Sequence, residues 1–496
     1  MFIVNKRSPV KYRFFIIFQD HFYRRYNLLW LDIDRSKNIS LSKQIFQQIS
    51  SKILKNEVKS GEKLPSTRKL ANELNVSRNV MIEVYEQLIA EGYIESIKGS
   101  GTYVAKGTYL DKYKDYYQDY SESFNLNKKE KNNHIIKFQC GIPDLDYFPR
   151  ELWAKCIKNA CYYSQKNILT YGNIKGLFDL RIEILKYLLK IKGIRCEPDQ
   201  VFIISGSAQA FLLLSKLFNP TYNEIIIEDP VVTFISNIFM SMGLKLNPIE
   251  VDQKGLVVDK LPKYNKSSCI FVSPSHQFPL GGTLPIQRRI KLIEYARDTG
   301  SYIIEDDYDS EFRFSGNPIS SLHLLAPEHV IHIGTFSKNL APALRLGYMI
   351  IPKNLVKKCK KVKIMLNMHT SSLKQQALTY FIKEGYLERH IIKMKKIYQN
   401  KNTYLIKLLK EAFNNSIKIT GETTGMHLVV EFINININDK LKNEIQKNNI
   451  EIYYVEEYAI KNKNHKNKIL LGYGNLNLEE IKEGVKRIKN AIKTFD

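Results

Sequence analysis

Five short runs of β-branched and other apolar residues, "QVFIIS", "EIIIED", "SCIFVSP", "SYIIEDD" and "HVIHIGT", are spread between residues 200 and 335. Helical stretches such as "AQAFLLLSKLF" and "PIQRRIKLIEYARDT" separate them. Strands this apolar have no polar face to give to water, so both faces of their sheet must be covered. Their alternation with helices predicts an α/β domain built on a mostly parallel sheet. In such sheets ligands bind just beyond the carboxyl ends of the strands. Polar residues gathered at those ends are the first candidates for chemistry.

The chain is 496 residues long, enough for more than one domain. No apolar run approaches the roughly 18 residues that would cross a bilayer. "YRFFIIFQD" near the start has a short apolar core and no small-residue cleavage site after it, so no signal peptide is expected. Six cysteines, at 140, 156, 161, 196, 269 and 359, form neither a C-x-x-C pair nor a zinc ladder. They read as reduced thiols of a cytoplasmic protein. Net charge is +25, but residues 1–110 hold 18 basic and 10 acidic residues, only +8 of that total. Charge is spread along the chain and does not by itself identify a nucleic-acid binder.

Ahead of the strand runs lies a different grammar. Leu41, Ile45, Ile49, Ile53 and Leu54 share one helical face. Ser66 is placed to cap a short helix, Thr67–Leu74, and Ser77 a second one from Arg78 to about Glu91. Two such helices joined by a tight turn make a helix-turn-helix. Arg78 and Asn79 then stand on the first turn of the second helix, where recognition helices meet bases and phosphates. "YIESIKGSGTYV" follows as a hairpin whose tip, Lys98-Gly99-Ser100-Gly101, is small and basic. Residues 1–37 read as an aromatic, basic extension, 38–105 as the DNA-binding unit, 106–134 as a linker and 135–496 as the large domain.

Four clusters mark the strand ends of that domain. "SGSAQAF" (205–211) opens a helix whose first amides form an anion site. "IIEDDYDSEF" (303–312) runs from a strand into consecutive acids. A metal reading of these acids lacks a partner histidine cluster, so no metal is expected. One buried carboxylate among them could instead hold a cationic ring nitrogen. "VSPSHQFPLGGT" (272–283) offers His276 and Gln277 as hydrogen-bond donors. "GTFSKNLAPALRLGY" (334–348) sets Lys338 just past a buried strand and Arg345 seven residues on. Desolvation favours the neutral amine of such a lysine, which makes it a candidate Schiff-base nucleophile. A lysine, a phosphate-binding arginine with an amide nest, and an acid for a ring nitrogen together describe pyridoxal 5′-phosphate.

Residues 64–104, "LPSTRKLANELNVSRNVMIEVYEQLIAEGY" through "GSGTYV", resemble the GntR-type winged helix. By that resemblance Arg68, Arg78 and Gly101 fall on positions used for double-stranded operator DNA. "GIPDLDYFP", "YGNIKG", "SPSHQFPLG", "IEDDYDSEF" and "GTFSKNLAPALRLGY" resemble a fold-type I aminotransferase domain. The two halves together resemble the MocR family of transcription regulators. The resemblance implies that Lys338 forms the Schiff base, that Asp306 pairs the pyridine nitrogen and that Tyr308 hydrogen-bonds the phenolate oxygen. It implies that Thr335, Arg345 and the amides of Ser207, Ala208 and Gln209 hold the phosphate. Tyr171 would reach the phosphate of a partner subunit in a head-to-tail homodimer.

Two departures from the family pattern matter. After "EDP" (228–230) come Val231, Val232 and Thr233, so an aromatic contact to the cofactor ring is missing unless Phe234 or another ring supplies it. The C-terminal arginine that aminotransferases use for a substrate carboxylate has no obvious counterpart. Arg487 lies in the terminal amphipathic helix, and residues 459–469, "AIKNKNHKNKI", offer lysines such as Lys461. The expected function is a regulator sensing an amine, an amino acid or the cofactor itself. The alternative is a working aminotransferase with a DNA-binding arm.

Overall fold

The computed structural model describes residues 31–36, 39–110, 135–219, 221–263, 268–316, 319–461 and 463–495. The chain divides into two compact units, Met1–Lys131 and Asn132–Asp496. Most of the expected extension and linker lies outside the described residues. Among the described residues no helix is long and apolar enough to cross a membrane.

The first unit packs helices α1 (Leu41–Leu54), α2 (Thr67–Glu73) and α3 (Arg78–Ala90) against a hairpin, β1 (Ile94–Ile97) and β2 (Gly101–Val104). Ser66 and Ser77 cap α2 and α3 as expected, accepting from the amides of Lys69 and Val80 at 3.3 Å. The turn between the helices passes through Asn75, whose φ of +53° is a left-handed conformation that asparagine tolerates. Ile45, Ile49 and Ile53 of α1 meet Met81, Val84 and Leu88 of α3 in the core. Burying each isoleucine contributes about 1.5–3 kcal/mol. Leu31 and Ile33 also pack on this core, and the amide of Asp32 donates to Gln48. The folded unit thus begins before the expected boundary at residue 38, because two apolar residues ahead of that boundary are covered.

The second unit is built on an eight-stranded sheet. In chain order it contains a short strand β3 (Ile136–Lys137), then β4 (Val201–Ile204), β5 (Glu224–Asp229), β6 (Lys245–Asp252), β7 (Gly255–Leu256), β8 (Cys269–Val272), β9 (Tyr302–Asp307), β10 (Val330–Thr335) and β11 (Gly347–Ile350). The sheet order is β4-β11-β10-β9-β8-β5-β6-β7. The five strands from β10 to β6 pair in parallel. β11 is antiparallel to both β4 and β10, so those two point the same way. The carboxyl ends of β4, β5, β8, β9 and β10 therefore share one edge. Side chains from both faces are buried throughout these strands, as their apolar sequences require.

A four-stranded antiparallel sheet follows the long helix Tyr386–Phe413. It comprises β12 (Ile417–Thr420), β13 (His427–Phe432), β15 (Tyr453–Tyr454) and β16 (Lys468–Gly472), while β14 (Ile450–Glu451) pairs with β3. This is the fold-type I aminotransferase architecture.

Candidate functional site

The shared strand edge opens onto a cavity of about 370 Å³. Lys338, Asp306, Tyr308, Thr335, Arg345, Ser207 and Ala208 all line it, so seven of the ten expected cofactor residues come together. Gln209, His276 and Tyr171 do not.

Lys338 follows the end of β10, and its Nζ donates to the carbonyl of Gly141 at 2.6 Å. Burial holds its pKa below the ordinary lysine value, against the pull of Asp309 and Asp306. Gly141 has a φ of +72°, and a Cβ there would lie 2.4 Å from Nζ. A side chain at this position would push the amine aside and would strain the left-handed backbone.

The acid run of β9 is sorted by the strand's own alternation. Glu305 faces one way, accepting from Ser321 and from the amide of Leu322, with His332 Nδ1 at 3.0 Å. These partners depress its pKa to about 2 despite full burial. Asp307 pairs with the buried Lys192 on the same side. Asp306 alone faces the cavity. Burial raises its pKa to about 7, offset in part by Lys338. A carboxylate in this state is suited to pair a cation supplied by a ligand.

Gly206, the residue ahead of the helix Ser207–Phe218, has a φ of +90°. Arg345 lies across it: Nη2 donates to the carbonyl of Ser205 at 2.7 Å, and a Cβ on Gly206 would meet the guanidinium at 2.6 Å. Arg345 itself holds a φ of +51°, strain that a non-glycine residue keeps where the surroundings enforce it. The expectation for Gln209 needs correcting. Its amide donates to the carbonyl of Gly206 at 3.1 Å and its side chain accepts from the amide of Ser205, so it closes the turn instead of lining the cavity.

His276 is also displaced from its expected role as a direct contact. It lies behind Tyr308, with Nδ1 2.9 Å from Asp309, while the Tyr308 hydroxyl donates to the His276 carbonyl at 3.0 Å. The ring stacks on His427, with centroids 4.7 Å apart. His276, Asp309 and His427 bring ligand atoms within 4.8 Å of one another. The acid run thus does have the histidine partners expected to be lacking, with His276 Nδ1 beside Asp309 and His427 Nε2 3.2 Å from the carbonyl of Pro279. Tyr171 is 82% exposed, its ring edge-on to His369, and lies outside this chain's own cavity.

Sequence reasoning missed several lining groups. Gly141 and Phe278 lie in the runs "GIPDLDYFP" and "SPSHQFPLG", but nothing in those runs marks these two residues as lining, Gly141 coming from 197 residues before Lys338. Cys140, Met426, Tyr453 and Tyr458 carry no local motif. Glu228, beside the cavity, is fully buried with its pKa raised to about 8 and accepts from the amide of Ser273. Phe234 does line the cavity, as one of the rings that could replace the aromatic missing at Val232.

The raised carboxyl pKa values predict a pH dependence. Glu228 and Asp306 favour their protonated forms in the folded state, so their stabilisation is complete below pH of about 4 and is lost as pH rises through 7 and 8. The melting temperature of the cofactor-free protein is expected to fall across this range. Asp306→Asn should flatten part of that slope, measured by differential scanning calorimetry from pH 5 to 8. An unchanged slope would contradict the buried, cavity-facing assignment of Asp306.

A mostly parallel α/β fold with a lysine, an arginine and a buried acid on one edge defines the class of pyridoxal phosphate-dependent proteins of fold type I. The comparisons with known proteins agree. Residues 133–488 match the aminotransferase class I and II family, and residues 41–104 match the gntR family of bacterial regulatory proteins. The chain is 33% identical to an uncharacterized HTH-type transcriptional regulator of Bacillus subtilis, covering 93% of this chain and 98% of that one. It is 29% identical to the probable rhizopine catabolism regulatory protein MocR of Rhizobium meliloti, covering 94% and 96%. Among solved structures it is similar to the kynurenine aminotransferase of Pyrococcus horikoshii, crystallised with PMP. That likeness has a TM-score of 0.67 and 27% identity, covering 73% of this chain and 92% of that one. The chain belongs to the MocR family of transcription regulators, a gntR-type helix-turn-helix joined to an aminotransferase class I and II domain.

Proposed function

We propose that the protein is a cytoplasmic transcription regulator that binds operator DNA through its first unit and reads a primary amine through pyridoxal phosphate in its second. The observation that carries the reading is one cavity lined by Lys338, Asp306 and Arg345 in a chain that also has a helix-turn-helix. When bound, pyridoxal phosphate supplies an aldehyde that condenses reversibly with primary amines and a ring that accepts electron density. Lys338 would hold that aldehyde covalently, its neutral amine already favoured by burial. Asp306 would pair the ring nitrogen and Tyr308 the phenolate oxygen. Arg345, Thr335 and the first amides of the helix at Ser207 and Ala208 would hold the phosphate.

A competing amine would release the Lys338 amine beside Asp306 and Asp309, with burial still favouring its neutral form. Such a change switches DNA binding only if it favours one of two arrangements of the protein. Tyr171, exposed in a single chain, would reach a partner's phosphate in a head-to-tail homodimer.

On the DNA side, Arg68, Arg78, Asn79 and Lys98 are all exposed, with Arg78 and Asn79 on the first turn of α3. Gly101, at φ +127°, lies against Lys63, so that a Cβ would be 2.7 Å from its Cε. Arg78→Ala is expected to weaken binding to a duplex selected from a random library about 10-fold, and to lower the salt dependence by about one counterion. Cofactor content should be unchanged. Fluorescence anisotropy across a salt series reads both effects, and wild-type affinity in the variant would remove Arg78 from the interface.

A second reading, transamination, is favoured by the burial that lowers the pKa of Lys338, as suits a proton carrier. Accumulation of keto acid from an amino acid would separate it from sensing.

A further inference from the structure

Once the cofactor has taken Lys338, Arg345 and Asp306, the character of the remaining wall decides what kind of amine fits. Among the described residues lining the cavity, Lys338 and Arg345 are the only lysine and arginine. The rest of the wall is mainly apolar or phenolic, and its other polar side chains, Gln139, Ser273, Ser337, Asp309 and His427, include no lysine or arginine. Val231, Val232 and Phe234 face it from the segment after β5, and Phe278, Tyr453 and Tyr458 from the loop after β8 and the small sheet.

These rings are packed as a unit. Tyr458 stands edge-on to Phe278 at 5.2 Å, and Phe278 edge-on to His427 at the same spacing. Val231 is tied to the same wall through its amide, which donates to the carbonyl of Tyr458 at 3.1 Å.

The groups that might have met a carboxylate are engaged elsewhere or carry the wrong charge. Lys461 is exposed and outside the cavity, and its backbone amide donates to Asp229 at 2.9 Å, as the amide of Ile460 does at 2.7 Å. Arg487 pairs with Glu483 on the C-terminal helix, and Arg389 donates to the carbonyl of Glu384. The Tyr453 hydroxyl already donates to Glu451 at 3.2 Å. His427 is buried against His276, and burial holds it in the neutral form. The cavity's second acid, Asp309, would repel an anion. A carboxylate brought here would lose its hydration without a paired cation, whereas an apolar tail would gain contact area.

We propose that the effector is an aryl-alkyl primary amine that carries no carboxylate. This rests on the amine-sensing reading above and narrows it to a chemical class.

The test uses the full-length protein loaded with pyridoxal phosphate, titrated with phenethylamine and separately with phenylalanine, which differ only in the carboxylate. The visible absorption band of the bound cofactor and the melting temperature are both followed. Phenethylamine is expected to perturb them at a concentration at least about 10-fold lower than phenylalanine. Phenylalanine acting at an equal or lower concentration would overturn the inference, because a cation would then be reaching the site from another source. A normal band that neither compound shifts would overturn the inference while leaving the cofactor assignment intact. Failure of the loaded protein to form any band would remove the amine-sensing reading, and this inference with it.

Phe234→Arg supplies the missing cation at a residue that is 45% exposed and so tolerant of change. It is expected to narrow the ratio or reverse it in favour of phenylalanine. An unchanged ratio in a variant that still loads cofactor would contradict the role given to this wall.

Discussion

Replacing Lys338 by alanine is expected to abolish the visible absorption band of the cofactor-loaded protein and its fixation by borohydride. The lysine amine is the one nucleophile held at the cavity floor with burial favouring its neutral form, and Gly141 leaves room for it on the far side. Cys140 also lines the cavity, but burial pushes its thiol well above the ordinary range, so it is a poor substitute. Non-covalent binding should survive in the variant, since Arg345 and the helix amides are untouched. Absorbance together with mass spectrometry of the borohydride-treated protein distinguishes the two. A fixed adduct on the variant at wild-type yield would show that another residue holds the cofactor.

Loss of the Arg345 guanidinium is expected to have a comparably large effect, on affinity rather than on covalent chemistry. Hydrogen bonds to charged groups contribute about 1.5–3 kcal/mol each. Two such bonds from one guanidinium to a phosphate amount to about 100-fold in affinity or more. Arg345→Asn is the informative variant, because asparagine tolerates the left-handed backbone that leucine or alanine would strain. Arg345→Lys should recover only part of the loss, since a point charge lacks the planar fork. Equilibrium dialysis against pyridoxal phosphate measures both, and affinity within about threefold of wild type in Arg345→Asn would place the phosphate elsewhere.

Much of this fold could be read from local sequence because its signals are local. Ser66 and Ser77 cap helices within three residues of themselves, and the strand runs state by composition alone that both faces are covered. Lys338 and Arg345 could be placed because each lies immediately beyond such a strand or its turn. The acid run was less legible. Glu305, Asp306 and Asp307 look alike in sequence. Strand alternation puts Asp306 on the opposite face from the other two, but which face meets the cavity and which meets His332 and Lys192 is set by tertiary packing. His276 is a hydrogen-bond donor in a proline-glycine loop, which its sequence shows, but that Asp309 and Tyr308 hold it one layer back from the cavity is tertiary and is not visible in the sequence. Gln209 was counted with the helix amides although its own amide completes the turn. The aromatic wall was illegible for another reason. Phe278, Tyr453 and Tyr458 meet through tertiary packing between the two sheets, which no local pattern encodes.

The most direct test of the account joins the two units in one measurement. Duplexes bound by the full-length loaded protein are selected from a random library, and affinity for the best of them is measured with and without phenethylamine. The account predicts that the amine changes duplex affinity several-fold in the wild-type protein and leaves it unchanged in Lys338→Ala. Duplex affinity that ignores every amine able to shift the cofactor band, with product accumulating instead, would contradict it and define an enzyme.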